Sequence, residues 1–369
     1  MPLDREPVPA RSCTKVQYTK NCSVQGAIKP HPDLGLASRA AWLSYIGGYR
    51  QEDIAERLGV SRVKVTRLIG MAHREGLVRV FVDGKVGECL ALEARLEALF
   101  GLEVCTVAPD LGEVGLPLRT LASAGARFLL SRFEDEAGRL IGIGHGRTLA
   151  AVVDALPNLT GANLTGADGA GAGLRFVSLL GGLTRNAAAY PFDVIHSLAR
   201  KTGGESYFMP VPFFANSVED RAVLLAQKSV QDVLALAQAA GLCVLGIGEA
   251  GPEAHMMQSG MITAAELAEV NAAGAVGEIL GQFLDAEGRP VAASLNGRAL
   301  SLGLADLKGK SVVAVAGGET KAAAILAALK SGVLTGLITD EATATVLVSE
   351  AQGGPAAATK PGGKTSTRL

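Results

Sequence analysis

Between residues 88 and 347 the chain alternates two patterns of apolar positions. Segments with leucines at every third or fourth position predict amphipathic helices, and short apolar runs that end in glycine follow them. Strands that alternate with helices of about 10–15 residues indicate βαβ units and a parallel sheet covered on both faces. We therefore expect a doubly wound α/β domain. Its clearest strand candidates are Leu140–Gly144, Phe176–Gly181, Cys243–Gly248 and Val312–Gly317.

A different pattern precedes this domain and predicts a helix-turn-helix. Two short helices are separated by a tight turn at Gly59, the small Ala55 lies where they touch, and Ser61 is placed to cap the second helix. The apolar positions that pack them together are Ile54, Leu58, Val60, Val65 and Leu68. A preceding helix is expected over residues 38–49, and alternating valines over residues 77–84 predict a strand pair or wing. The inner face of that first helix is expected to hold Ala41, Trp42, Tyr45 and Ile46.

The second helix of this motif would expose basic and polar side chains. A helix fits the major groove of DNA, where such side chains contact base edges and neutralise phosphates. Residues 1–85 carry 14 Lys and Arg against 8 Asp and Glu, although the whole chain has a net charge of −1. The alternative is a three-helix core with a solvated basic face. The candidate DNA-binding residues are Gln51, Ser61, Arg62, Lys64, Thr66 and Arg67.

Composition divides the 369 residues into four parts. A proline-containing stretch without periodicity predicts a disordered arm over residues 1–36, and a Gly/Pro/Ala/Thr-rich stretch predicts a disordered tail over 351–369. The DNA-binding domain is expected at 37–86 and the second domain at 87–350. No apolar run approaches the ~18 residues that span a bilayer, and the five cysteines form no CxxC pair. We expect a cytoplasmic protein without membrane contact.

Four predicted strands end in glycine turns that carry polar residues. Glycines allow backbone amides to approach an anion, and the helix that follows offers its positive N-terminus. If the strands are parallel, all four turns open at the edge where α/β sheets bind ligands, which favours a small polar or anionic ligand over plain turn chemistry. The first turn reads G-x-G-x-G rather than G-x-G-x-x-G, so NAD is disfavoured. The turns contain Gly142, Gly144, Gly146, Arg147 and Thr148; Gly181, Gly182 and Arg185; Gly246, Gly248 and Glu249; and Gly317, Gly318 and Lys321.

Over residues 37–348 the chain resembles the SorC-type (DeoR/SorC) sugar-binding transcriptional regulators. Besides the helix-turn-helix, the shared stretches include Gly144-His-Gly-Arg-Thr, Pro212-Phe-Phe-Ala-Asn, Phe283-Leu-Asp-Ala-Glu-Gly and Val315-Ala-Gly-Gly-Glu-Thr-Lys. Two stretches, Val104–Leu118 and Phe176–Asn186, look most like the branch of the family that represses erythritol catabolism. The resemblance implies an effector domain similar to sugar-phosphate isomerases and deaminases, and a dimer or tetramer on operator DNA.

The resemblance also implies a ligand site. Gly146, Arg147 and Thr148 would hold the anionic or most polar end of the ligand. Asn216, Asp285 and Lys321 would bind hydroxyl groups or charge. One departure concerns His145, because many family members have Trp at the matching position. No metal ligand set and no cofactor is expected, since no second His, Cys or carboxylate has ligand spacing near His145.

These features together predict a repressor of a sugar or polyol catabolic operon that is released by a carbohydrate or its phosphate. A rival interpretation is an active sugar-phosphate isomerase or deaminase with a DNA-binding appendage, in which Asp285, Glu249 and Lys321 perform acid–base chemistry. A third is a redox sensor that uses Cys89 or Cys105. It is disfavoured because nothing basic flanks these thiols.

Overall fold

The computed structural model describes residues 33–75, 77–78, 87–113, 115–133, 140–159, 173–183, 192 and 194–353. The chain divides into two compact units, Met1–Val80 and Phe81–Leu369. The predicted domain border after residue 86 stays a prediction, because residues 79–86 lie outside the described ranges.

The first unit is a cluster of three helices. They are α1 Leu34–Tyr45, α2 Gln51–Leu58 and α3 Arg62–Arg74. Gly59 ends α2 with a left-handed φ of 62°, and the Ser61 hydroxyl accepts the Lys64 N–H at 3.2 Å at the start of α3. Ile54, Val65 and Leu68 are fully buried between the helices. These observations confirm the predicted helix-turn-helix geometry, whereas most of the predicted wing lies outside the described residues.

The position of α1 and its inner face differ from the prediction. The helix begins at Leu34, so the last residues of the predicted disordered arm are helical, and it ends at Tyr45 rather than at residue 49. Its buried face consists of Ala37, Ala40 and Ala41, while Trp42 is 66% exposed. Tyr45 and Ile46 are also exposed. The physical reason is that small alanines at i, i+3 and i+4 let α3 approach closely, which the large apolar residues would prevent.

The second unit is built on a seven-stranded, entirely parallel sheet with the strand order β1-β10-β9-β5-β2-β3-β4. The four strongest strand candidates of the sequence correspond to β2, β3, β5 and β9, which are neighbours at the centre of the sheet. The strands are β1 Val104–Ala108, β2 Leu140–Ile143, β3 Arg175–Ser178, β4 Glu205–Tyr207, β5 Leu242–Leu245, β9 Ser311–Val315 and β10 Gly336–Asp340.

Helices cover both faces of this sheet. One apolar core joins it to α4, α9, α14 and α15, and the other joins it to α5, α6 and α7, which confirms the doubly wound α/β class. The helices are α4 Gly87–Phe100, α5 Leu118–Phe133, α6 Arg147–Ala155, α7 Ile195–Thr202, α8 Val218–Leu225, α9 Lys228–Ala239, α10 His255–Gln258, α11 Ala264–Ala272, α12 Ser294–Arg298, α13 Leu304–Leu307, α14 Ala322–Lys330 and α15 Glu341–Ala351, with a 3₁₀ turn at Glu319–Lys321.

A small second sheet was not predicted. It has three antiparallel strands, β6 Gly248–Glu249, β7 Gly277–Ile279 and β8 Gln282–Leu284. Strands of two or three residues are too short to show an alternating pattern, which explains why the sequence did not reveal them. This sheet places Glu249 and Glu278 beside the carboxyl ends of the central strands.

Candidate ligand cavity and DNA-binding surface

A cavity that opens to solvent lies at the carboxyl ends of β2 and β5. A second hollow shares Leu116, Arg147, Glu249 and Lys321 with it and extends towards the turn after β9. The glycine turns after β2, β5 and β9 therefore meet as the parallel-sheet prediction requires. The cavity is lined by Leu116, His145, Gly146, Arg147, Thr148, Leu180, Phe213, Gly246, Ile247, Gly248, Glu249, His255, Met256, Met261, Glu278, Leu280 and Lys321.

The N-terminus of α6 faces this cavity. Gly146 precedes the helix with a φ of 123°, a conformation that a side chain would strain, and its N–H donates to the Phe192 carbonyl oxygen at 3.2 Å. Arg147 and Thr148 form the first turn of α6 and line the cavity. The helix dipole adds partial positive charge here, so this end of the cavity suits the anionic or most polar part of a ligand.

Lys321 enters the cavity from the turn after β9. Its ammonium group donates to the Ile247 carbonyl oxygen at 3.1 Å. Burial lowers the pKa of Lys321, Arg147 lowers it further, and the carboxylates of Glu249 and Glu278 oppose this shift. The side chain is therefore a partly buried cation in the electrostatic field of two carboxyl groups, with donor capacity left for a ligand.

A buried network fixes the turn that carries Lys321. The Gly318 N–H donates to Asp340 Oδ2 at 3.0 Å and to Thr343 Oγ1 at 2.7 Å. Asp340 is 3% exposed and caps α15, because its Oδ1 accepts the Thr343 N–H at 2.9 Å. The Gly317-Gly318 turn is thus anchored to the end of β10, although the sequence offered no reason to connect the two.

Glu278 is a site residue that the sequence analysis missed. It lies on β7, is 8% exposed, and accepts the Gly281 N–H at 2.7 Å. Burial raises the pKa of this carboxyl group to about 7, although the Gly281 N–H and the Lys321 charge act in the opposite direction. Near neutral pH the group can therefore donate or accept a hydrogen bond. A glutamate within a three-residue strand gives no sequence signal of this role.

Two histidines complete the lining. The Ser178 hydroxyl donates to the Leu180 carbonyl oxygen at 2.7 Å, so its contact with His145 Nε2 at 3.2 Å must come from a proton on that nitrogen. His255, which the sequence analysis did not assign to the site, packs edge-on against Phe192. Burial, followed by the charges of Arg147 and Lys321, lowers the pKa of His255.

Several predicted ligand residues lie elsewhere. The N–H groups of Gly144, Gly181 and Gly182 are bonded to the carbonyl oxygens of Val244, Leu300 and Met209 respectively, so these glycines serve backbone packing. Asn216 is exposed, and its carbonyl oxygen accepts a hydrogen bond from Arg298. Arg185 is outside the described residues. Gly144, Gly181, Gly182 and Asn216 do not line the cavity.

Asp285 is occupied by a turn of the chain. Its Oδ1 accepts the N–H groups of Glu287 and Arg289, both at 2.9 Å, and its Oδ2 pairs with the Arg289 guanidinium group. These backbone and side-chain bonds lower the pKa of Asp285. The residue does not line the cavity. The structure thus separates Asp285 from Glu249 and Lys321, which the isomerase interpretation had placed in one acid–base site.

The redox interpretation also loses support. Cys89 is 2% exposed, and burial, reinforced by neighbouring glutamates, raises the pKa of its thiol. A reactive cysteine needs the opposite shift. Within the described ranges, no group of three His, Cys, Asp or Glu side chains is arranged to hold a metal ion. None of the described helices has the length and apolar character needed to cross a membrane.

The first unit exposes most of the predicted DNA-binding residues on one helix. Arg62, Thr66 and Arg67 are exposed on α3, on the side away from the buried Val65 and Leu68. The Thr66 hydroxyl contacts the Gln51 side chain of α2 at 3.1 Å. Lys64 and Arg67 form ion pairs with Asp33, and Arg62 forms one with Glu52. That Gln51, Ser61, Arg62, Lys64, Thr66 and Arg67 contact DNA remains a prediction.

Comparisons with known proteins agree with this architecture. Residues 84–349 match the sugar-binding domain family. The erythritol catabolism regulatory protein EryD of Brucella abortus is 48% identical over 321 residues, which cover 87% of this chain and 98% of that protein. The transcriptional regulator LsrR of an Enterobacter species is 33% identical, over 85% of this chain and 93% of that protein.

A solved structure shares the fold. The full-length sorbitol operon regulator SorC of Klebsiella pneumoniae matches with a TM-score of 0.61 and 24% identity, over 86% of this chain and all of that one. EryD and LsrR are both named as regulators, which supports a regulator over the isomerase alternative. The chain therefore belongs to the SorC-type family of sugar-binding transcriptional regulators.

Proposed function

We propose that this regulator is a cytoplasmic repressor of a sugar or polyol catabolic operon and that a carbohydrate or its phosphate controls its binding to DNA. One observation carries the proposal. Arg147, Thr148 and Lys321, which are far apart in the sequence, line one cavity in a chain that also presents a helix-turn-helix. Family membership alone would not indicate which residues meet.

The chemistry of the cavity suits a small polyhydroxylated ligand. Glu249 and Glu278 offer carboxyl oxygens to hydroxyl groups, while Arg147, Lys321 and the α6 N-terminus suit a phosphate or another electron-rich end. The similarity to EryD makes erythritol and erythritol phosphate the first candidates. Calorimetry with each compound separates the neutral from the phosphorylated ligand.

On the DNA side, the proposal places α3 in the major groove. Arg62 and Arg67 would contact bases or phosphates, supported by Lys64 and Thr66, while Gln51 and Ser61 contact the backbone near the helix start. A single helix-turn-helix contacts only a half-site, so we propose a homo-oligomer, either a dimer or a tetramer. The ligand would bias a conformational equilibrium that sets the spacing of the paired heads. Light scattering of the purified protein tests the oligomeric state.

The effector half of the proposal is tested by a thermal-shift screen against polyols, sugars and their phosphates, followed by calorimetry. A ligand at about 100 times its dissociation constant stabilises the protein by about 2.7 kcal/mol. Thr148→Val and Lys321→Met each remove one hydrogen bond to the ligand. If that bond is charge-assisted, the loss is about 1.5–3 kcal/mol, roughly 10- to 150-fold in affinity. Asn216→Ala is the matched control, because this exposed residue lies outside the cavity.

The same variants test the coupling to DNA. With a duplex selected by the protein from a random pool, both should bind DNA like the wild type when no effector is present. They should also stay bound at effector concentrations that release the wild type, as super-repressors do. Wild-type effector affinity in both variants would show that the shared cavity is not the ligand site.

A further inference from the structure

The tip of the β7–β8 hairpin has an unusual backbone. It consists of two residues, Leu280 and Gly281, with φ angles of 51° and 76°. Leu280 is the only non-glycine residue with a positive φ among the residues that the structure describes. Two-residue hairpin turns with both φ angles positive strongly prefer Asn-Gly, Asp-Gly or Gly-Gly, and leucine is disfavoured there. A disfavoured backbone conformation that lies at a ligand site motivates a functional hypothesis.

The surroundings hold this turn in place. The Gly281 N–H donates to Glu278 Oε2 at 2.7 Å, and a methyl group added to Gly281 would lie 2.8 Å from the Phe213 ring. Glycine is therefore required at the second position. The turn does not require leucine at position 280. Glycine or asparagine, which adopt a left-handed backbone more readily, would complete the same turn there.

The position of the Leu280 side chain gives a reason for a leucine at this point of the turn. It is 5% exposed and lines the cavity together with Phe213, Leu180 and Met261. This apolar wall bounds the same cavity that contains Arg147 and Lys321. A hydrophobic pocket distinguishes ligands that differ by one carbon roughly 10- to 200-fold, so the side chain that bounds it sets the length of ligand that fits.

We propose that Leu280 is a specificity-determining residue that limits the chain length of the effector and restricts the cavity to short polyols or their phosphates. This inference rests on the proposed function, because it assumes that the effector occupies this cavity. The leucine is kept at an unfavourable backbone position because its side chain closes the apolar end. Glycine or alanine would leave that end open for a longer carbon chain.

Calorimetry with glycerol, erythritol, xylitol and sorbitol, each with and without a terminal phosphate, tests this inference. In Leu280→Gly and Leu280→Ala, the preference for the four-carbon ligand over the five- and six-carbon ligands should fall by at least tenfold. Leu280→Met, which keeps the bulk, should retain the wild-type preference. Leu280→Gly should also melt at a higher temperature than Leu280→Ala, because glycine relieves the backbone while both lose the side chain.

Leu284→Ala is a control for general loss of core packing, because Leu284 is fully buried on β8 and does not line the cavity. It should lower the melting temperature without changing the chain-length preference. If Leu280→Gly and Leu280→Ala bind the ligands with the wild-type chain-length preference, Leu280 does not determine specificity. The proposed function would be unaffected by that result. If the wild type binds no member of the series, the effector is not a short polyol or its phosphate, and the inference is wrong even if a sugar from the wider screen binds.

Discussion

Gly317→Ala perturbs the turn that carries Lys321. A methyl group at this position would collide with Asp340 Oδ2 and lie 3.2 Å from the Leu121 side chain. Asp340 cannot swing away freely, since Oδ1 accepts the Thr343 N–H and Oδ2 accepts both the Thr343 hydroxyl at 2.6 Å and the Gly318 N–H at 3.0 Å. The substitution must therefore break bonds at Oδ2 or move the turn.

The expected magnitude follows from these contacts. Two hydrogen bonds to a carboxylate, each worth about 1.5–3 kcal/mol, set an upper range of about 3–6 kcal/mol. Partial relaxation of the turn lowers this energetic cost. Insertion of a methylene group into a packed site typically costs about 1–3 kcal/mol. We expect Gly317→Ala to lower the free energy of unfolding by about 3 kcal/mol. It should also weaken effector binding, because the Lys321 N–H donates to the carbonyl oxygen of the displaced Gly318 at 2.8 Å.

Urea denaturation of the purified protein measures the first effect and calorimetry the second. Gly241→Ala is the matched control, because a methyl group there meets no atom within 4 Å and the backbone does not require glycine. It should change the stability by less than about 0.5 kcal/mol. If the two variants unfold at the same urea concentration and bind the effector equally, the Asp340 network does not hold the Lys321 turn, and the reasoning is refuted.

Three further predictions concern helix α3 and the buried carboxyl group of Glu278. Arg62→Ala or Arg67→Ala should weaken operator binding by about 1–3 kcal/mol in a gel-shift titration, while effector binding stays unchanged. If both variants bind the operator as tightly as the wild type, α3 is not the recognition helix. Asp33→Asn should raise DNA affinity at low salt, because it removes a negative charge paired with Lys64 and Arg67; no gain at low salt would argue against phosphate contacts by this pair. Because the folded pKa of Glu278 is about 7 against 4.5 for an unperturbed glutamate, its contribution to stability should fall as pH rises from about 4.5 to 7 and stay constant above. Denaturation between pH 5 and 8 without effector should show a flatter profile for Glu278→Gln, and identical profiles would contradict the shift.

The central strands and the α6 turn were predictable because their signals are local and redundant. A continuous apolar run followed by glycine identifies β2, β5 and β9, and parallel pairing then brings Arg147 and Lys321 to one edge. In the first unit, the turn glycine and the cap agreed with the apolar spacing of α2 and α3.

The remaining residues could not be placed because their roles depend on contacts that no local pattern encodes. Glu278 belongs to a three-residue strand, and its distance from Lys321 in the sequence conceals their electrostatic coupling. Asp285 resembled a ligand residue, but its oxygens bond to the next turn. Trp42 looked like a core residue, yet α1 packs through alanines and exposes the indole.

The strand order has a consequence for how this protein can be synthesised. β10 lies between β1 and β9, and its pairing with β1 joins residues 104–108 to residues 336–340. Until the ribosome has released that last strand, β1 lacks its partner in the sheet and β9 lacks one of its two. Unpaired strand edges promote association between chains, and contacts of such long sequence separation form slowly. The turn that carries Lys321 bonds to Asp340 and Thr343 through the Gly318 N–H, so this part of the cavity wall gains its support only after β10 has paired.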